Sequence, residues 1–286
     1  MPRYLCFIFL LSLYTPLFVR LYCSTWYVSD YTHAYFILPI FLWLVWRKRF
    51  AIKKDVVKEL KPNENLSSLF IFLFGIFMFI FSWRQSYVFI TTLSLVPALY
   101  GLVSFLYGQR VTKTLYFPVF YLILLAPLPI GIIDNITLPL RLGVSIATDQ
   151  ILRLFSFPIS REGLLLSVGN TELFMAQPCS GFRSIITMFS LALVYVYIVK
   201  GGLSKKIILV TSIVPVSIFG NLMRVIVLCL ITYYFGEEAG QGFFHNFSGI
   251  LIFIITILGL VAIEHLIEKN SRNRIVINQN KKNKVW

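Results

Sequence analysis

An all-α polytopic membrane protein with about eight transmembrane helices is the fold class this sequence predicts, and three observations predict it. Hydrophobic residues make up 58% of the chain and charged residues only 13%, against about 45–50% and 25% in soluble domains. Mean hydropathy is +0.80. Apolar runs approaching the roughly 20 residues that cross a bilayer recur at 4–23, 31–46, 66–83, 86–107, 115–133, 180–199, 207–227 and 248–267. Residues 1–267 read as a single integral membrane domain and 268–286 as a basic tail.

The first run resembles a secretory leader in length. No small-residue cleavage site follows it, and Tyr22 before Cys23 is wrong for a lipoprotein cut, so it is expected to persist as a helix. The run at 31–46 is the shortest. Basic residues orient the bundle, because Lys and Arg stay on the cytoplasmic side. With the N-terminus inside, 19 of the 26 fall in cytoplasmic segments: Arg3, the 47–61 stretch, Arg110 and Lys113, the 200–206 loop and the tail. Only Arg84, Arg141, Arg153 and Arg161 fall outside, while Arg20, Arg183 and Arg224 lie within spans. The net charge of +14 thus belongs to loops that favour anionic lipid headgroups. Nucleic-acid binding would need a folded basic face, and the pattern contains none.

On this topology the unusual residues collect outside, in 24–33, 134–179 and 236–246. Asp134-Asn135 is expected to cap a short interfacial helix lying flat on the outer face, with Ile136, Leu138, Leu140, Leu142 and Val144 towards lipid. Residues 164–168 and 171–175 flank Gly169-Asn170 and read as a short hairpin that delivers the chain to Cys179.

Cys179 stands in Gln177-Pro178-Cys179-Ser180-Gly181-Phe182-Arg183, at the mouth of an apolar helix. Only a thiolate is a useful nucleophile. Unpaired N–H groups and the positive dipole end of a helix start favour that anion, and Pro178 suits a first helical turn. Arg183, four residues on, shares the same helical face. A cysteine in an apolar chain is more often inert packing, which is the reading for Cys6 and Cys229, whereas Cys23 near a helix end is ambiguous. Arg224, in Asn221-Leu222-Met223-Arg224, costs a few kcal/mol inside an apolar helix unless it faces a partner or a wet cavity, and so marks function. The plain alternative is an arginine snorkelling to the interface. His245 stands just outside the last run; alone, such a histidine is more often interfacial than a base. For Arg224 to approach the level of Cys179 and His245, the seventh span is expected to end near Val227.

Together these segments resemble the signature regions of the exosortases, the bacterial members of the exosortase/archaeosortase family. The resemblance covers nearly the whole chain: the Cys179 segment, Asn221 to Arg224, and Tyr234-Phe235-Gly236-Glu237-Glu238 running to His245-Asn246-Phe247-Ser248-Gly249. Upstream, Tyr31-Thr32-His33-Ala34-Tyr35, Ala126-Pro127-Leu128-Pro129 and Ser160-Arg161-Glu162-Gly163 add to it. Ala34 and Pro178 depart from the usual Gly and Ala, and Pro178 alters the backbone beside the cysteine. With nothing after the last span but a tail, a minimal family member is expected.

The resemblance implies a membrane-embedded cysteine protease or transpeptidase, in the bacterial cytoplasmic membrane with its site towards the periplasm. Its partners would be exported proteins carrying a tripartite C-terminal sorting signal: a Pro-Glu-Pro motif, a transmembrane helix and a basic tail, often linked to exopolysaccharide production. Cys179 would form a thioacyl enzyme, His245 would shuttle protons, and Arg224 would stabilise the oxyanion or hold substrate. His33, Arg183 and Asn221 are second-tier candidates. No cofactor or metal is expected, because His33, His245 and His265 lack metal-ligand spacing and no Gly-rich phosphate loop is present. A transporter would show inverted repeats, and none is visible. A membrane acyltransferase leaves Cys179 unexplained, and a scaffold subunit would tolerate its replacement by serine.

Overall fold

The computed structural model describes residues 3–26, 31, 33–58, 66–169, 171–174, 182–199, 202–236, 254, 257–259, 261–267 and 269. They fall into two compact units, 1–133 and 134–286.

The first unit holds α1 (Arg3–Arg20), continued by a π-helical turn over Leu21–Thr25, then α2 (Ala34–Arg47), α3 (Arg49–Lys58), α4 (Leu66–Arg84), α5 (Val88–Leu93) and α6 (Leu95–Tyr121), which runs into a 3-10 turn over Leu122–Leu125. Gly108 has φ 84° and ψ 174°, outside the helical region, a conformation that glycine adopts without penalty. The chain doubles back there. Tyr100 and Phe120 would be about 30 Å apart on a straight helix, yet their rings meet with centroids 6.2 Å apart. The helical stretch Val88–Leu125 therefore folds back on itself at Gly108, between the runs expected at 86–107 and 115–133.

Small residues let α4 and α6 approach closely, as membrane helices do when lipid offers no hydrophobic drive between them. A Cβ on Gly101 would stand 2.3 Å from the Phe72 nitrogen, and one on Gly75 would stand 2.4 Å from the Ala98 nitrogen. Ser68 and Ser104 share a buried hydrogen bond of 2.8 Å between these helices. Gly101→Val is expected to lower unfolding stability by about 3 kcal/mol, since rigid backbone must move apart. Gly143→Ala, with nothing within 4 Å of the added carbon, should be neutral or gain about 0.5–1 kcal/mol. Denaturation of both variants in matched detergent checks this.

The loops of this unit sort to two ends. At one, the Arg3 guanidinium lies 5.5 Å from the Tyr107 ring centroid, and the Thr114 hydroxyl donates to Asp55 at 2.7 Å. Three of the basic segments thus sit together. At the other, the Tyr31 hydroxyl donates to the Leu128 carbonyl at 2.8 Å, and His33, just before α2, is buried beside Tyr31.

The fifth expected run does not continue to 133. Ala126 is extended because the residue before a proline is pushed out of the helical region, and Pro127 and Pro129 break the segment. α7 (Ile130–Leu154) then starts directly after Pro129. Asp134 and Asn135 lie inside it rather than capping it, and its 25 residues make it longer than the short helix expected. Of the residues expected towards lipid, Ile136 and Leu138 are exposed, whereas Val144 is buried with Thr137, Ser145 and Thr148.

In the second unit α7 is followed by β1 (Ile159–Glu162), β2 (Leu165–Val168) and β3 (Thr171–Phe174), an antiparallel sheet in that order. The hairpin expected at 164–175 is β2 and β3, with Val168 opposite Thr171 and Gly169 at φ +62°. A third strand was not expected. β1 pairs with β2 through a second two-residue turn, where Gly163 has φ +61°. The sheet is therefore a small departure from an all-α fold.

α8 (Phe182–Ile198) and α9 (Leu203–Phe235) follow, and the short turn between them makes them antiparallel neighbours. Met188 and Ala192 of α8 pack with Ile213 of α9. α9 is unbroken over 33 residues, or about 50 Å, and stays helical past Val227, where the seventh span was expected to end. Its length exceeds the roughly 30 Å hydrocarbon thickness, so its last turns can lie beyond a span that ends there. Tyr233 and Tyr234 in those turns join Phe157 in an aromatic cluster. At the opposite end Lys205 forms a half-buried ion pair with Glu264 at 2.7 Å. Gly259 abuts Val216 so closely that a Cβ would approach its side chain to 2.8 Å. The last apolar segment thus runs antiparallel to α9.

Among the described residues four helical stretches are long and apolar enough to cross a membrane: Arg3–Thr25, Leu66–Arg84, Val88–Leu125 and Leu203–Phe235. Ala34–Arg47, Ile185–Ile198 and Ile257–Ile267 are shorter apolar helices. The protein is a multi-pass, predominantly helical membrane protein.

Candidate active site

α9 is polar on its inside. Ser217, Asn221, Arg224 and Thr232 are buried along one face, while Ile207, Ile208, Val214, Phe219 and Val227 point outward. Asn221 is fully buried and Arg224 only 9% exposed. An arginine placed this way pays for desolvation, which in membrane helices marks a functional interior rather than a lipid-facing position. The snorkelling alternative requires exposure that Arg224 lacks.

α7 repeats the arrangement. Thr137, Arg141, Ser145 and Thr148 recur at helical spacing on its buried side. Thr137 is 1% and Thr148 0% exposed, and the Ser145 hydroxyl donates to the Gly163 carbonyl at 3.2 Å. One apolar cluster ties these elements together: Val144 and Leu152 of α7, Ile159, Leu166 and Val168 of the sheet, and Val225 and Cys229 of α9. Arg224 immediately precedes Val225, and Arg141 lies one turn before Val144. Both arginines therefore flank a single packed joint.

The start of α8 lies about 7 Å short of Arg224 along the helix axis. Phe182 lies about 24 Å from the α8–α9 turn, as Phe219 does, and Arg224 about 31 Å. Arg183 belongs to the first turn of α8. Asn221 and Arg224 thus share the end of the unit at which the chain enters α8. Cys179 and His245 lie outside the described residues. His33 is buried in the first unit. Of the other cysteines, Cys229 is fully buried in the apolar cluster, Cys6 is half-buried and Cys23 exposed. No cluster of metal-ligating side chains occurs among the described residues.

Arg141 escaped the sequence reading, which grouped it with outer-loop basic residues. The signal that would have found it is the spacing of Thr137, Arg141, Ser145 and Thr148, a polar face on a helix whose other side is apolar.

Neither a curated protein nor a solved structure matches the chain. A family model for transmembrane exosortases matches residues 26–262, which takes in α2 to α9, the sheet, and both the Cys179 and His245 segments. A match of that extent, over a multi-pass chain with a buried arginine in its seventh apolar run, places this protein in the transmembrane exosortase family.

Proposed function

We propose that the protein is a cysteine transpeptidase or protease of the bacterial cytoplasmic membrane, acting on the periplasmic side. It cleaves exported proteins at a C-terminal signal built from a Pro-Glu-Pro type motif, a transmembrane helix and a basic tail. The observation that carries this reading is the inward-facing Asn221 and Arg224, towards the end of the unit at which the chain enters α8. A buried cation beside a thiol at a helix start favours the thiolate and stabilises a developing oxyanion.

The Cys179 thiolate attacks the scissile carbonyl to form a tetrahedral oxyanion held by Arg224. Collapse of that intermediate expels the amine of the substrate's helix and tail, which takes a proton from His245. The thioester then passes its acyl group to water or an amine, and Cys179 leaves as thiolate. Asn221 and Arg183 are second-tier candidates for positioning these groups. The chain acts as one membrane domain over 1–267 with a basic cytoplasmic tail, and about eight spans place both termini inside.

Two measurements test this reading. Purified protein incubated with a synthetic sorting-signal peptide should yield two fragments divided at a single bond near the motif. Cysteine-accessibility labelling in cells should find 47–65 shielded from outside and 236–246 open. Labelling of both loops from the same side contradicts the topology.

A further inference from the structure

We propose that Arg141 and Thr137 of α7 form a carboxylate-binding subsite that reads an acidic side chain of the substrate peptide; this rests on the peptidase reading above. The Arg141 Nε and the Thr137 and Thr148 hydroxyls are buried and have no hydrogen-bond partner among the described residues. Helical side chains lean towards the N-terminus, so Arg141 lies over Thr137, one turn before it. Of the acidic groups of the same helix, Asp149 pairs with Arg153 at 2.8 Å, and Asp134 is exposed, two turns before Arg141.

The face offers a guanidinium Nε–H and two hydroxyls without partners among the described residues. A guanidinium with an adjacent hydroxyl matches an acceptor-only anion, held through charge-assisted hydrogen bonds. A carboxylate on an extended peptide fits better than a free anion, because Arg141 flanks the joint that also carries Arg224. A peptide whose scissile carbonyl lies at Arg224 would pass it. The phosphate of an anionic lipid shares this chemistry and is separated by the test.

The test compares peptides with Glu and Gln at the acidic position of the signal, using the full-length enzyme in zwitterionic nanodiscs. For the parent, Glu should be favoured over Gln by about 10²-fold in kcat/KM. Arg141→Gln should remove most of that preference by lowering the Glu rate alone, and Thr137→Val should reduce it partially. In the Cys179→Ala background, Arg141→Gln should weaken binding of a fluorescent Glu peptide and leave the Gln peptide unchanged. That equilibrium readout also exposes any unfolding, which would weaken both peptides, in which case Thr137→Val carries the comparison.

Equal losses for the two peptides in the folded Arg141→Gln protein would overturn the subsite. So would an Arg141 effect confined to nanodiscs containing anionic lipid, which would assign the site to lipid phosphate. Turnover by Cys179→Ala would instead overturn the peptidase reading itself.

Discussion

Cys179→Ser is expected to insert and fold like the parent protein while losing processing by about 10³-fold or more. The substitution exchanges one small side chain for another, so packing changes little. A serine hydroxyl is far less readily ionised than a thiol, and the proposed site, with Arg224 as its cation, would stabilise a thiolate rather than generate an alkoxide. Cys229→Ser adds a hydroxyl to the apolar cluster of α7, the sheet and α9, so it should cost some stability and leave the rate per folded molecule unchanged. Cys6→Ser should be silent in both. The measurement is the fraction of unprocessed substrate in cells carrying each variant at matched membrane levels. Normal processing by Cys179→Ser would remove thiol catalysis and return the chain to the transporter or scaffold alternatives.

Arg224→Lys should lower kcat/KM by about 10²-fold or more, on the scale seen when an oxyanion donor is lost. Lysine keeps the charge but replaces a planar fork of donors with a single hydrated point charge on a flexible stem. At 9% exposure the site offers little water to make up the missing hydrogen bonds. Arg224→Ala should lose at least as much. Arg84→Lys, at an exposed position on the end of α4, should behave as the parent. Steady-state kinetics on a signal peptide separate these cases, and a rise in KM with unchanged kcat for Arg224→Lys would assign Arg224 to substrate holding alone.

The parts of the fold that follow from local pattern were legible in the chain. The apolar runs at 4–23, 66–83 and 86–107 became helices, because length and hydropathy suffice to specify them. Gly169-Asn170 between two β-prone stretches marked the hairpin, because only a few residues accept its positive φ. β1 was missed because Ile159–Glu162 is short and polar on its outer face; its signal was Gly163, where a second turn needs φ +61°.

The break in the fifth run was written in Pro127 and Pro129 but was outweighed by the apolar residues around them. Asp134-Asn135 looked like a cap only because the helix start at Pro129 had been overlooked. That α9 stays helical for 33 residues, past Val227, is compatible with a span that ends there, because such a helix outruns the bilayer. The inward burial of Arg224 follows from the cost of a charge in an apolar run, whereas Asn221 entered only through the family resemblance. The inward polarity of α7 was not legible, because the apolar residues at 136, 138, 140, 142 and 144 drew attention away from Thr137, Arg141 and Thr148.

The covalent intermediate tests the central claim most directly. Enzyme mixed with a sorting-signal peptide and quenched in acid within one turnover should gain the mass of the peptide's N-terminal fragment on Cys179, since thioesters survive acid. Neutral hydroxylamine should release that fragment as a hydroxamate. Fragmentation mass spectrometry locates the adduct. Cleaved peptide without an adduct, or an adduct on any residue other than Cys179, would contradict the account.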